Sequence, residues 1–263
     1  MTTIERAHSG PEKTQRIYAR VAGFLFLWLI ITGLAGMLTT SHIVGSGTFA
    51  ETAKRVVASE RLYRVALSSE LIETLSTLLL AFALYVTLKP IDRLLAQIAM
   101  YCRLGETSIG GVGVIVGFLR LRLYTSPQSF GAPDQSQALV DLTRNASFAA
   151  YNIAAIFFSI GSILFFCLFF KSRYIPRILS AFGMFASVIV TIICYDSLIF
   201  PEHAATLQYG WVPMAIAEVT TGIWLMLFAV KPQTQSFAMG KEEQSVGKGG
   251  SARVYQVGRS QEQ

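Results

Sequence analysis

Residues 100–119 read MYCRLGETSIGGVGVIVGFL, an apolar run with the length of a membrane-spanning helix and two charged side chains near its start. Arg103 and Glu106 lie three positions apart within this run. A charge at the centre of a bilayer costs about 3 kcal/mol on insertion scales. Splitting the run at these charges would leave pieces too short to cross a bilayer. We therefore expect one continuous span whose internal charges are compensated.

The composition of the whole chain is that of a helical membrane protein. Of its 263 residues, 52% are hydrophobic and 14% are charged. Soluble domains carry roughly 25% charged residues, so this chain has too few to cover a globular surface of its size. Several apolar runs are long enough to cross a bilayer as helices, and the alternation typical of a membrane β-barrel is absent from the sequence. The sequence predicts an all-α integral membrane bundle that has the lipid bilayer as its main partner.

Six transmembrane helices are predicted from these runs. The first run follows a polar segment and has no small-residue cleavage site just after it, which indicates a retained helix rather than a removed signal peptide. Residues 1–20 form a basic cytoplasmic tail, and residues 231–263, rich in Gly, Ser, Gln and Lys, are predicted to be a disordered cytoplasmic tail. The predicted spans of the membrane domain, residues 21–230, are about 21–38, 66–88, 94–119, 150–170, 178–195 and 212–230.

The basic residues predict how the bundle is oriented. With six spans, both tails lie on the same side of the membrane as the loops at residues 89–93 and 171–177. That side carries twice as many Lys and Arg residues as the opposite side. The positive-inside rule then places both termini in the cytoplasm. The net charge of +6 comes from residues near the ends of apolar runs, so it is a topology signal and predicts no nucleic-acid partner.

Acidic side chains are predicted to gather in the outer half of the bilayer. At 1.5 Å of rise per helical residue, Arg103 lies about 15 Å from the cytoplasmic end of its span, and Glu106 and Glu218 lie about 20 Å from theirs. Glu73 and Glu70 fall at about 24 and 28 Å. Arg103 and Glu106 project from one helix face because they are three residues apart. These five residues are the candidate ligand- or ion-binding residues.

Three functions remain compatible with this cluster. In the first, a polar cavity binds a proton, a cation or a small polar ligand, as in a carrier or a sensor. In the second, the charges only fix how the helices pack, in a structural or accessory membrane protein. In the third, Glu106 or Glu73 acts as general base in a lipid-modifying enzyme. The acids outnumber the single arginine, and any unpaired one would require a proton, water or a cation, so the first is our leading hypothesis.

The sequence predicts no cofactor, no metal site and no catalytic residue. The three histidines, His8, His42 and His203, lie outside the depths of the spans, which excludes bis-histidine haem ligation within the bundle. The three cysteines show no CxxC spacing and are expected to be buried free thiols. The sequence also lacks the HExxH, GxSxG and GxxxxGK[ST] motifs.

Glycines make the third span suited to close helix packing. Gly113 and Gly117 form a small-xxx-small pair, which lets helix backbones approach each other. We expect this span at the centre of the bundle, and self-association through the two glycines is the alternative. Trp211, at the outer edge of span six, is expected to anchor the membrane interface.

The loop between the first two spans contains an amphipathic segment. Val56, Val57, Leu62 and Val65 are predicted to share one face of a single helix, opposite its charged residues. Such a helix would lie in the membrane interface or connect the spans through solvent, and both interpretations stay open.

Four local patterns, in this order, resemble the bacterial membrane-protein family known as domain of unknown function 4386. They are Lys89-Pro90, Arg103-Leu-Gly-Glu106, KSRYIPRIL at residues 171–179, and Glu218 followed by IWLM. The resemblance covers about residues 15–232 and implies a six-span protein of a bacterial cytoplasmic membrane. It implies no activity or substrate. Gly105 departs from the family pattern, in which a larger apolar residue is expected.

Overall fold

A computed structural model describes the backbone of residues 3–130 and 133–228, and the side chains from residue 13 onward within those ranges, apart from 128, 129 and 133. The described residues form α-helices and short 3-10 turns, without a β-strand. The 3-10 turns are Pro127–Phe130, Pro201–His203 and Gln208–Trp211. The helices are α1 (Thr3–Val44), α2 (Phe49–Ala58), α3 (Glu60–Leu88), α4 (Arg93–Thr125), α5 (Pro133–Ser172), α6 (Arg177–Ile199), α7 (Ala204–Leu207) and α8 (Val212–Phe228).

The prediction of six membrane-crossing helices is confirmed for the described residues. Six segments are long and apolar enough to span a bilayer, and each contains or closely matches one predicted span. Helix α4 continues without interruption through Arg103 and Glu106. The membrane boundaries of each span stay predictions, as does the side on which the termini lie. The predicted disordered tail and the last residues of span six lie outside the described residues.

The six long helices form a closed ring in chain order. Helix α1 packs on α3, α3 on α4, α4 on α5, α5 on α6 and α6 on α8, which returns to α1. The main hydrophobic core lies inside this ring and takes buried side chains from all six helices. A smaller core lies where α2 meets the start of α3 and the end of α4, around Tyr63 and Tyr124.

Polar contacts fix the ends of the helices. The Asp92 carboxylate accepts a hydrogen bond from the Leu95 backbone N–H and begins α4. The polar start of α1 belongs to the same helix as span one, and its buried Gln15 donates to the Thr87 carbonyl at 2.7 Å and to the Tyr174 hydroxyl at 2.9 Å. This end of α1 is therefore attached to α3 and to the loop before α6.

The prediction of one amphipathic helix over residues 54–65 is wrong. The chain turns at Ser59, so that α2 and α3 are separate helices and the four valine and leucine side chains do not share a face. Val56 is buried in the smaller core, whereas Leu62 is half exposed. Thr48 and Glu51 form a capping box that begins α2. The Thr48 backbone N–H, which donates to the Glu51 carboxylate, lowers the pKa of that side chain below its ordinary value.

Helices α1 and α8 touch through two glycines. A Cβ atom added at Gly23 would lie 2.6 Å from the Gly222 carbonyl oxygen and 2.8 Å from the Met226 backbone nitrogen. Backbone atoms cannot rotate out of the way, so only glycine permits this approach. Gly36, further along α1, has open space around its Cβ position.

We predict that Gly23→Ala destabilises the protein because the new methyl group forces α1 and α8 apart. Overpacking of this kind costs about 1–3 kcal/mol, which lowers the melting temperature by at least about 2 °C in a protein of this size. Thermal unfolding of the purified protein in one detergent measures the change. Gly36→Ala is the matched control and should leave the melting temperature unchanged or slightly raised. Equal losses in both variants would contradict the proposed role of the glycine crossing.

Candidate functional site

Arg103 is the centre of a buried charge cluster. Its side chain is 3% exposed. One terminal guanidinium nitrogen, Nη1, donates to Glu106 Oε2 at 2.9 Å, one turn along the same helix. The other, Nη2, lies 3.7 Å from Glu218 Oε1 on α8. The structure therefore joins three of the five predicted site residues and connects α4 to α8 across the ring.

An aromatic ring covers one face of the guanidinium. The Arg103 Cζ atom lies 4.4 Å from the centroid of Phe158 on α5, a distance at which cation and ring attract each other. Phe158 stacks in turn on Trp211, and Trp211 lies beside Tyr151. Trp211, predicted as an interface anchor, thus packs on the cluster through Phe158. A phenylalanine in an apolar run gives no sign of this role in the sequence.

Glycines let α4 and α5 pack closely enough to bury the arginine. A Cβ atom at Gly161 would lie 3.2 Å from the Ala99 carbonyl oxygen and 3.5 Å from Arg103 Cγ. The Phe157 ring occupies the space beside Gly105, where a Cβ atom would lie 2.9 Å from Phe157 Cδ1. The departure from the family pattern at this position is therefore matched by an aromatic side chain on α5.

Glu73 and Glu70 do not reach Arg103. The Glu73 carboxylate packs against α1, with Oε1 2.7 Å from the Cβ position of Gly33. Its electrostatic neighbours include the like-charged Glu70 and Glu106. Among the side chains that the structure describes, no Lys, Arg or His pairs with Glu73. Glu73 and Glu70 lie three residues apart on α3. Together with Glu106, they form a group of neighbouring carboxylates that we call the acidic surface.

A second arginine lies at the far end of this acidic surface. Arg120 on α4 interacts electrostatically with Glu70. It donates to the Thr143 carbonyl at 3.1 Å and to the Ser147 hydroxyl on α5. The sequence places Arg120 in a loop after span three, whereas the structure extends α4 to Thr125. This polar contact between α4 and α5 was therefore missed.

Three buried polar atoms near the cluster have no hydrogen-bond partner among the described residues. They are Arg103 Nε, Ser162 Oγ and Thr221 Oγ1. Arg103 and Ser162 also line a cavity of about 10 Å³. Phe26, Leu84, Phe165, Phe166 and Phe169 complete its lining. Ser162 carries no signal in the sequence because serine is common in packed membrane helices.

The glycine pair of α4 does not lie on one free face. Gly117 is buried against α3, where a Cβ atom would lie 2.7 Å from Leu67 Cδ2. Gly113 has open space around its Cβ position. Self-association through this pair stays a prediction.

No group of three or more His, Cys, Asp or Glu side chains within the described residues has the geometry of a metal site. The cysteines Cys102, Cys167 and Cys194 are free thiols, and Cys194 is fully buried. The polar groups of the cluster are one guanidinium, several carboxylates and hydroxyls.

The ring of six apolar helices with charges at its centre defines a multi-pass membrane protein with an intramembrane Arg/Glu cluster. The family described as Domain of unknown function (DUF4386) matches residues 21–229. The chain belongs to this family, as the four sequence patterns predicted. No curated protein and no solved structure matches the chain.

We predict that Arg103→Gln strongly destabilises the protein because it leaves Glu106 and Glu218 buried without their cation. Removal of one partner of a buried ion pair lowers the free energy of unfolding by about 3–5 kcal/mol. This loss corresponds to a melting temperature that is lower by at least about 6 °C. The double variant Arg103→Gln/Glu106→Gln should recover part of this loss, since one uncompensated carboxylate is then removed. Thermal unfolding of all variants in one detergent gives the comparison.

Arg64→Gln is the matched control, because Arg64 pairs with Glu60 at half-exposed positions of α3. Surface pairs of this kind contribute at most about 1 kcal/mol. If Arg103→Gln is as stable as the wild type, the ion pairs do not hold the bundle together.

Proposed function

We propose that this protein binds a proton or a small cation at its intramembrane Arg/Glu cluster, as a carrier or sensor does. The observation that carries the proposal is Glu73, a carboxylate within a membrane span that lies beside other acids and has no cationic partner among the described side chains. An ionised carboxylate in such surroundings is costly unless a proton, a cation or water compensates it. The acids exceed what Arg103 neutralises.

The surroundings of Glu73 favour a small ligand. The titratable groups that interact with it are Glu70 on its own helix, Glu106 on α4 and Tyr151 on α5, and on the α1 side the carboxylate lies against Gly33. The Glu73 carboxylate lies so close to α1 that a Cβ atom at Gly33 would be 2.7 Å from Oε1. This contact leaves no room for a large molecule on that side of the carboxylate.

We predict that Glu73→Gln removes a ligand-dependent stabilisation that the wild type shows. If the folded state binds more protons than the unfolded state at Glu73, the free energy of unfolding rises as the pH falls. If the ligand is a cation, the melting temperature rises with its concentration. We expect the wild type to gain at least about 3 °C over the variant, which corresponds to about 1 kcal/mol. The measurement is thermal unfolding in lipid nanodiscs from pH 8 to pH 5, with NaCl or KCl varied at each pH.

Glu60→Gln is the control, because Glu60 lies on the same helix in a half-exposed pair. This variant should keep the wild-type dependence on pH and cations. Identical profiles for Glu73→Gln and the wild type would reject Glu73 as the binding group.

A purely structural role is the second candidate, and the geometry around Arg103 favours it. Both terminal guanidinium nitrogens contact carboxylates, and the Phe158 ring covers one face of the guanidinium. Such a buried network fixes helix packing with or without a ligand. A strong loss of stability in Arg103→Gln, combined with no pH or cation dependence in the wild type, would support this candidate.

We further propose that the protein lies in the cytoplasmic membrane of a bacterium with both termini in the cytoplasm. The distribution of Lys and Arg supports this orientation. It places the α1–α2 turn and the segment before α8 outside the cell.

We predict opposite accessibility for single cysteines on the two sides in a cysteine-free background. Cysteines at Ser46 and Ala205 should react with a membrane-impermeant maleimide in intact cells. Cysteines at Pro90 and Pro176 should react only after permeabilisation. These four exposed positions carry no charge, so the topology signals are preserved. Labelling of 46 and 176 from the same side would reject the orientation.

A further inference from the structure

The Ser162 hydroxyl differs from most other buried hydroxyls of the spans. Hydroxyls within helices usually donate to a backbone carbonyl three or four residues earlier. Ser159 does so to the Ile156 carbonyl at 2.9 Å, and Ser187 to the Gly183 carbonyl at 2.7 Å. Ser162 is 3% exposed and has no such partner within the described residues. A buried hydroxyl without a hydrogen bond is costly, which indicates a partner other than the protein.

The Arg103 Nε–H is a second buried group without a hydrogen-bond partner among the described residues. A guanidinium offers five N–H donors in a fixed plane. Its terminal nitrogens are directed to Glu106 and Glu218, whereas Nε is buried and unpartnered in the described part of the chain. Arg103 and Ser162 line one cavity, so the two residues that carry these unsatisfied groups border the same space.

The size and lining of this cavity select the ligand. Its volume is about 10 Å³, close to the lower limit of roughly 10–15 Å³ that one water molecule requires. A buried water also requires two to four polar partners, and Arg103 and Ser162 are two. The remaining lining is aromatic and aliphatic, so a larger polar molecule would find neither room nor further hydrogen bonds.

We infer that one water molecule binds in this cavity, accepts a hydrogen bond from the Arg103 Nε–H and forms a second one with the Ser162 hydroxyl. A cation is disfavoured here by the adjacent guanidinium. An anion is disfavoured because Glu106 and Glu218 already neutralise Arg103. Water, which both donates and accepts, satisfies both groups without adding charge to an apolar site.

The water gives Ser162 a positioning role. The hydrogen bond from Nε to the water restricts the rotation of the Arg103 guanidinium group. Its two terminal nitrogens therefore stay directed at the carboxylates of α4 and α8. Ser162 on α5 thereby acts on the ion pairs through the water. This inference does not rest on the proposed function, because the hydrogen bonds are required whether or not a proton or cation binds at Glu73.

The test detects the water directly in the full chain. The protein is labelled with ¹⁵N-arginine and placed in nanodiscs of deuterated lipid at fixed pH. The Arg103 Nε–H signal is assigned through its contact with the Phe158 ring protons. Magnetisation transfer from water to this signal is then recorded. We expect clear transfer in the wild type.

The variants Ser162→Ala and Ser159→Ala are compared on the same helix. Ser162→Ala leaves the water a single polar partner, so the transfer to the Arg103 signal should fall by at least about threefold. Ser159→Ala removes a hydroxyl that already has partners in the protein and should leave the transfer unchanged. The fold is checked by thermal unfolding and by the remaining arginine signals.

Three results would overturn the inference. The first is no transfer in the wild type, which means that the cavity is dry. The second is undiminished transfer in Ser162→Ala, which means that Ser162 does not hold the water. The third is a shift of the Arg103 signal when chloride replaces sulfate in the buffer, which identifies the ligand as an anion. None of these results bears on the pH and cation response of Glu73→Gln, so the two proposals fail separately.

Discussion

The contact of Arg103 with Glu106 and Glu218 is the interaction on which the arrangement of the bundle depends. A guanidinium inside a ring of apolar helices is costly unless acidic or other polar groups meet it. Glu106 comes from the same helix, but Glu218 comes from α8, which is not a neighbour of α4 in the ring. The ion pair therefore acts across the interior. It constrains the rotation of both helices, because either carboxylate turned outward would leave a buried charge with less compensation.

Close helix contacts make this central position possible. In a membrane, helices gain little from hiding apolar surface, so packing and polar contacts decide how they associate. Gly161 brings α5 against the backbone of α4 beside Arg103, and Gly23 meets Gly222 where α1 crosses α8. Large aromatic side chains such as Phe165 and Phe166 then fill the interior. Small residues set the distances between helices, and the aromatic residues occupy the space that is left.

Hydropathy predicts the six helices because each is long and apolar, and helix periodicity predicts the pair of Arg103 with Glu106. Counting the rise from the cytoplasmic ends also predicts that Glu218 lies at the same depth. Depth alone does not give the direction of a side chain, so the sequence does not show that Glu218 meets Arg103 whereas Glu73 packs against α1. The turn at Ser59 and the roles of Phe158 and Ser162 depend on tertiary contacts that no local pattern records. The helices and the charge pair within one helix were therefore predictable from the sequence, whereas contacts between distant segments were not.

The surroundings of Arg103 differ along the bundle axis. Toward the end of α4, the next polar groups are Glu106, the two acids of α3 and then Arg120. Toward the start of α4, the cavity with Ser162 is lined by phenylalanines of α5, which runs antiparallel to α4. Ionised groups are costly in such an aromatic layer, whereas the acidic surface offers successive carboxylates. Polar side chains thus lie on one side of Arg103 along the bundle axis, and mostly aromatic side chains lie on the other.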